Sequence, residues 1–183
     1  GFLAPPPATM VAVGGVSGTG KTRLARDLAP GLGPAPGAVH LRSDVIRKAL
    51  FGVAPTDPLG PEGYTREATQ ATYDRMAAQA RDVAGRGHAA LLDATFLDGD
   101  AAADCAAAAA AAGVRFAGLW LTGDPDTLAA RVAARRDDAS DADVAVLRRQ
   151  LDHAAAPAGW SVIDAGGPPE ATFRAARAAL NLD

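Results

Sequence analysis

The chain reads as an α/β domain, a parallel sheet wrapped in helices. Short apolar runs rich in β-branched residues alternate with longer, alanine-rich segments of helical periodicity. The first of those runs passes straight into a glycine-rich turn and a helix-like stretch. At 183 residues there is chain enough for one domain with a proper core, and too little for a second of comparable size.

The elements follow in order. Met10-Val11-Ala12-Val13 lies in a first strand, 9–14, and a helix covers 20–30. A second strand at 38–42 leads into a helix at 44–52, with Ser43 as its start signal. From Gly52 to Tyr64, three prolines and three glycines predict an irregular excursion over the surface. Thr65 starts a long helix, 65–86, which precedes a third strand at 88–93. The run Ala106 to Ala112 is low in complexity but strongly helix-favouring, so 99–112 is helical and Gly113 closes it. A fourth strand covers 114–121. Asp124-Pro125 then opens a helix at 125–137, and Ser140 with Asp143 forms a capping box for another at 141–155. A fifth strand, 159–164, leads to a last helix, 169–181, and the sequence contains no internal repeat.

Residues 15–22 read Gly-Val-Ser-Gly-Thr-Gly-Lys-Thr, the G-x-x-x-x-G-K-[ST] pattern between strand and helix. Gly15, Gly18 and Gly20 carry no Cβ, so the backbone N–H groups of Ser17, Gly18, Thr19 and Gly20 can turn inward around phosphate. Lys21 reaches the β/γ-phosphates as a point charge and Thr22 offers a hydroxyl to Mg²⁺. The helix behind them points its positive end at the anion. The motif therefore implies a nucleoside triphosphate with Mg²⁺.

In an open parallel sheet, ligands sit beyond the carboxyl ends of the strands. After the second strand come Arg42-Ser43-Asp44 and, one helical turn on, Arg47. Asp44 there suits a general base for an attacking hydroxyl, with Arg42 and Arg47 holding the substrate. After the third strand comes Asp93-Ala94-Thr95, an acid placed to serve Mg²⁺ with Thr22. Thr95 either bonds substrate or turns the chain. Arg131 and Arg135 stack at i, i+4, where a lid spanning about 131–155 would close them over the triphosphate, Arg131 on the nucleotide and Arg135 in catalysis. Asp164-Ala165-Gly166-Gly167 either admits an adenine ring or is a plain turn. His40, His88 and His153 are too scattered for a metal site and read as structural.

Composition narrows the rest. Apolar residues make up 49% and charged ones 21%, and the apolar runs are broken well short of a membrane span. The lone Cys105 excludes an internal disulfide and reads as a small buried filler, which predicts a reducing cytoplasm. A net charge of −3 argues against a broad footprint for nucleic acid, although Arg42, Arg47 and Lys48 are able to hold one terminal phosphate. Lys21 and Lys48 are the only lysines in an arginine-rich chain. The opening Gly-Phe-Leu-Ala-Pro-Pro-Pro lacks the marks of a signal peptide, and residues 1–8 read as a stiff linker or remnant before a domain at 9–183.

With Gly15–Thr22, Arg42-Ser43-Asp44…Arg47, Asp93-Ala94-Thr95 and Arg131…Arg135 in that order, the chain resembles the small P-loop kinases: gluconate kinase, zeta toxin, chloramphenicol phosphotransferase and the kinase half of phage polynucleotide kinase. More narrowly it looks like the ATP-binding module that follows an aminoglycoside-phosphotransferase-like domain in many bacterial proteins. The resemblance implies a P-loop NTPase three-layer sandwich, a five-stranded sheet in order 2-3-1-4-5, and phosphoryl transfer from ATP·Mg²⁺ to a hydroxyl of a small molecule. In polynucleotide kinases an aspartate base precedes an arginine by three residues, as Asp44 does Arg47, so a 5′-hydroxyl polynucleotide kinase is the second expectation. A non-catalytic ATP-sensing module is the third. The sequence argues against GTPase signalling, since Asp93-Ala94-Thr95-Phe96 lacks the switch glycine and no Asn-Lys-x-Asp occurs.

Overall fold

The computed structural model describes residues 6–134 and 139–182. Five strands form one all-parallel sheet: β1 (Thr9–Gly15), β2 (Val39–Arg42), β3 (Ala90–Asp93), β4 (Arg115–Thr122) and β5 (Ser161–Asp164). Their order is β2-β3-β1-β4-β5, the expected arrangement. Between them run α1 (Lys21–Leu28), α2 (Ser43–Leu50), α3 (Arg66–Gly85), α4 (Gly99–Ala111), α5 (Pro125–Ala133), α6 (Val144–Leu151) and α7 (Pro169–Leu180).

β1 shows why the sheet sits at the centre. Every residue from Thr9 to Gly15 is buried, as a middle strand covered on both faces must be. Its pleat deals alternate side chains to two cores. Met10 and Ala12 join Met76, Leu92, Cys105 and Ala109 under α3 and α4. Val11 and Val13 join Leu24, Leu28, Leu91, Leu119 and Leu180 under α1 and α7. A third cluster, Val16, Leu128, Val132 and Leu147, fastens α5 and α6 to the glycine-rich loop.

Trp160 packs edge-on to Phe96 and Phe116, with ring centroids 5.0 and 6.1 Å away. The indole lies against β4 where Gly118 leaves room: a Cβ there would meet the Trp160 ring at 2.2 Å.

Among the described residues, strand and helix types match the expectation, and the differences lie at the ends. Thr65 and Asp124 cap their helices, accepting from Ala68 N and Thr127 N. Ser43 does not cap α2, which begins at Ser43 itself, because Arg42 is still extended and occupies the cap position. The Ser140 capping box is also corrected. α6 starts at Val144 with Asp143 as its cap, accepting from Val146 N, so Asp143 fills the role read for Ser140. The helix read at 20–30 tightens after Leu28 into a 3₁₀ turn, Ala29–Gly31, around Pro30. Of the helix read at 125–137, the described part ends at Ala133, and Arg135 lies outside the described residues along with 136–138.

Candidate functional site

Parallel register sets the site. Val13, Asp93 and Arg42 are partners across β1, β3 and β2, so their side chains emerge in one row at the carboxyl edge of the sheet. Immediately beyond lies a cavity of about 1130 Å³, lined by Ser17, Gly18, Gly20, Lys21, Thr22, Arg42, Asp44, Arg47, Asp93, Thr95 and Arg131 among others. Of the residues singled out in the sequence, Gly15 and Thr19 stay behind this wall, Thr19 lining a smaller adjoining cavity of about 210 Å³.

The loop 15–20 is shaped by its glycines. Gly18 has φ +85°, and a Cβ there would strike the Leu128 carbonyl at 2.7 Å, so only glycine fits. Thr19 folds its hydroxyl back onto the Val16 carbonyl at 2.8 Å, and Lys21 Nζ donates to the same carbonyl at 3.0 Å. The Ser17 N–H donates to Gln150 Oε1 at 2.8 Å. Gln150 lies in the last turn of α6, and its side chain sets an oxygen on an amide of the glycine-rich loop.

Thr22 donates its hydroxyl to Asp93 Oδ2 at 2.7 Å. Asp93 is 4% exposed, and the same oxygen faces His40 Nε2 at 3.2 Å and Arg42 Nε at 3.7 Å. His40 is thus structural as read, but it is structural at the site. Among the described residues no group of three or more His, Cys, Asp or Glu is placed to hold a metal ion. One hydroxyl and one carboxylate side by side fit Mg²⁺, which prefers hard oxygens and keeps most of its shell as water and phosphate.

Asp44, at the start of α2, sits half-buried in the cavity wall. Burial pushes its carboxyl above the ordinary carboxylate range and Asp93 adds to this, while Lys21, Arg42 and Arg47 pull the other way without prevailing.

The turn after β3 is strained. Phe96, 1% exposed, has φ +49°, a left-handed conformation costly for an aromatic residue. Tyr73 of α3 holds it, its hydroxyl accepting from Phe96 N at 3.0 Å and lying 3.4 Å from Thr95 Oγ1. The Thr95 carbonyl accepts from Gly15 N at 3.2 Å. Thr95 therefore ties the turn to the glycine-rich loop while still facing the cavity.

Arg131 donates to the carbonyls of Ala165 and Gly166 at 2.8 and 3.3 Å, pinning the turn after β5 beside the glycine-rich loop. Arg47 is 8% exposed and donates to Gly63 O and Thr69 Oγ1. Its guanidinium lies 5.1 Å from the centroid of the Tyr64 ring. Lys48 is 1% exposed. The terminal-phosphate role for Lys48 is overturned, because its ammonium is spent on Asp141 Oδ1 at 2.9 Å and Pro55 O at 3.2 Å.

Asp141 gathers more than Lys48. Its Oδ2 accepts from Tyr64 OH at 2.6 Å and from Leu59 N at 3.2 Å. Burial works to raise this carboxyl, but the hydrogen bonds from Tyr64, Lys48 and Leu59 prevail and hold it below the usual range. The Tyr64 hydroxyl is raised by its own burial and by the hydrogen bond it donates to Asp141.

Gln150, Asp141, Tyr64 and Tyr73 escape a reading by motif, since each acts through a contact distant in sequence. Lys48 did carry a signal: it is one of two lysines among many arginines, the same skew that marks Lys21.

Residues 10–157 match the model of AAA_33, a family described as AAA domain. "Uncharacterized protein Rv2004c" of Mycobacterium tuberculosis is 32% identical over 86% of this chain and 32% of its own length. The chain thus spans about a third of the length of the curated relatives it matches. A gluconokinase from Sinorhizobium meliloti 1021 superposes with a TM-score of 0.68 at 23% identity, over 97% of this chain and 94% of that one. The Mycobacterium tuberculosis APS kinase CysC, solved with AMPPNP and APS, gives 0.61 at 21% identity over 97% and 98%. At such identities the likeness is one of fold, that of the small P-loop kinases. Among the described residues, no helix is long and apolar enough to cross a membrane.

Proposed function

Because the chain belongs to the AAA domain family, with residues 10–157 inside its model, we propose that it is an ATP-dependent kinase that moves the γ-phosphate to a hydroxyl of a small molecule. One observation carries this reading: the half-buried carboxylate of Asp44 opens into the same cavity as Lys21, Thr22 and Asp93. A loop that only sensed nucleotide would need no acid there.

In this mechanism the amides of Ser17, Gly18 and Gly20 and the Lys21 ammonium hold the phosphates, with Arg131 on the nucleotide side. Mg²⁺, held by Thr22 and by Asp93 directly or through water, supplies charge neutralisation when bound. Asp44 accepts the proton of the acceptor hydroxyl as its oxygen bonds to the γ-phosphorus and the bond from that phosphorus to the β-phosphate oxygen breaks. Phosphoryl transfer asks for little else than orientation and positive charge. A carboxyl raised by burial is a stronger base than a solvated one. Arg42, Arg47 and Thr95 line the acceptor side, and Arg135, in the stretch outside the described residues, is assigned to the transition state as the lid arginine. A lid at about 131–155, a cytoplasmic location and a place beside a phosphotransferase-like domain in a longer polypeptide complete the reading.

ADP release measured against sugars, nucleosides, aminoglycosides and oligonucleotides tests it. Stimulation by a small alcohol, lost in Asp44→Asn and in Lys21→Ala, is the expected result. Nucleotide binding without turnover on any acceptor would point to a sensor, and salt-sensitive stimulation by oligonucleotides alone to a polynucleotide kinase.

A further inference from the structure

Asp141 is a single carboxylate on which three separate parts of the acceptor side converge. Lys48 lies four residues after Asp44, one helical turn along α2. Leu59 and Tyr64 belong to the irregular stretch between α2 and α3, which the sequence could match to nothing. That stretch buries little of its own: Tyr64 is 46% exposed, and the segment's regular structure is one 3₁₀ turn, Pro61–Tyr64. Its position comes from outside, through Lys48 on Pro55, Arg47 on Gly63, and Asp141 on Leu59 and Tyr64.

Asp141 itself lines the cavity, as do Leu59, Pro61 and Tyr64, and it lies between the stretch outside the described residues and α6. α6 in turn reaches the phosphate loop through Gln150 on Ser17. One short segment, 139–151, therefore touches both halves of the cavity.

We propose that Asp141 is the positioning residue of the acceptor site: it clips the 52–64 segment onto α2, sets the Tyr64 ring in the wall near Asp44, and so fixes which acceptor fits. This rests on the kinase reading for its substrate but on geometry for its clip. α2 has a second hold outside 52–64, since Arg47 bonds Thr69 of α3 and Ile46 is buried in the core. Asp44 therefore stays placed when Asp141 is lost, and the loosened part is the 52–64 wall.

The experiment uses the intact chain. Asp141→Asn keeps the shape and one acceptor oxygen. The double variant Asp141→Leu with Lys48→Met removes the buried ammonium together with its partner, so a misfolded single variant does not mask the result. Three readouts are compared with the unaltered chain: hydrogen exchange over 52–64, affinity for AMPPNP with Mg²⁺, and KM and kcat for whichever sugar, nucleoside or aminoglycoside gives fastest ADP release. The expected result is faster exchange confined to 52–64 and AMPPNP affinity within about twofold. KM should rise about tenfold with kcat within about threefold, and the high KM should persist in the double variant although its thermal stability returns. Tyr64→Phe, which removes one of the bonds, moves KM the same way by less. Unchanged exchange at 52–64, or kcat and AMPPNP affinity falling together with KM, overturns the proposal. If no acceptor in the panel turns over, the kinase reading is what fails, and the exchange comparison still supports or overturns the clip by itself.

Discussion

Removing the Gln150 side chain should tighten nucleotide binding. Gln150 Oε1 sits 2.8 Å from Ser17 N, one of the amides to which the kinase reading assigns a phosphate oxygen. Any phosphate that takes this amide must first displace the glutamine. A neutral hydrogen bond of this kind is worth about 0.5–1.5 kcal/mol net. At ~1.4 kcal/mol per factor of ten in affinity, its loss strengthens binding about two- to twelvefold. Gln150→Ala remains folded in this account, because Leu147 on the same helix keeps α6 packed against Val16 and Leu128. Titration calorimetry with AMPPNP and Mg²⁺, set against the unaltered chain and Lys21→Ala, measures the difference. Affinity unchanged or weakened in Gln150→Ala would show that the glutamine is not a competitor, and that this loop does not use the Ser17 amide for phosphate.

Three further outcomes follow from other parts of the structure. Asp44→Asn should lower turnover by about 10²–10⁴ and at the same time raise the melting temperature near neutral pH. The folded carboxyl titrates above its unfolded value of 3.8, so its ionised form destabilises the native state; the advantage of asparagine should fade as pH falls through the folded pKa, and the acid limb of the rate profile should lie above 3.8. Gly118→Ala forces a methyl to 2.2 Å from the Trp160 ring, an overpacking of about 1–3 kcal/mol that in a domain of this size lowers Tm by about 2–12 °C; calorimetry with near-ultraviolet circular dichroism reads it, and an unshifted Tm would mean the indole yields freely. Cys105, fully buried with its thiol pushed up to about 12 by burial, should resist iodoacetamide in the native chain and react once urea unfolds it; rapid native alkylation would contradict the packing under α4.

The sequence by itself determined the class, the kinds of element and their order, and which residues stand along one side of the cavity. These rest on short-range physics. The period of apolar residues separates strand from helix, and the glycines of 15–20 together with Lys21 and Thr22 form a contiguous device. Asp44 and Asp93 were legible because a strand's carboxyl end lies next to them in the chain.

Only the tertiary structure decided the other side. Helix starts at Ser43 and Ser140 were misplaced because competing cap residues one and three positions away are settled by backbone conformation, not by residue type. Lys48 is buried, not available to a phosphate, because Asp141, 93 residues further on, meets it. Gln150 reaches Ser17 across 133 residues, and Tyr73 props the strained turn at Phe96 from a different helix. Pairings of this kind leave no periodicity and no motif. They exist only once packing has brought distant segments within hydrogen-bond reach, and that is why the glycine-rich side of the cavity could be read from the chain while the wall built from 52–64 and Asp141 could not.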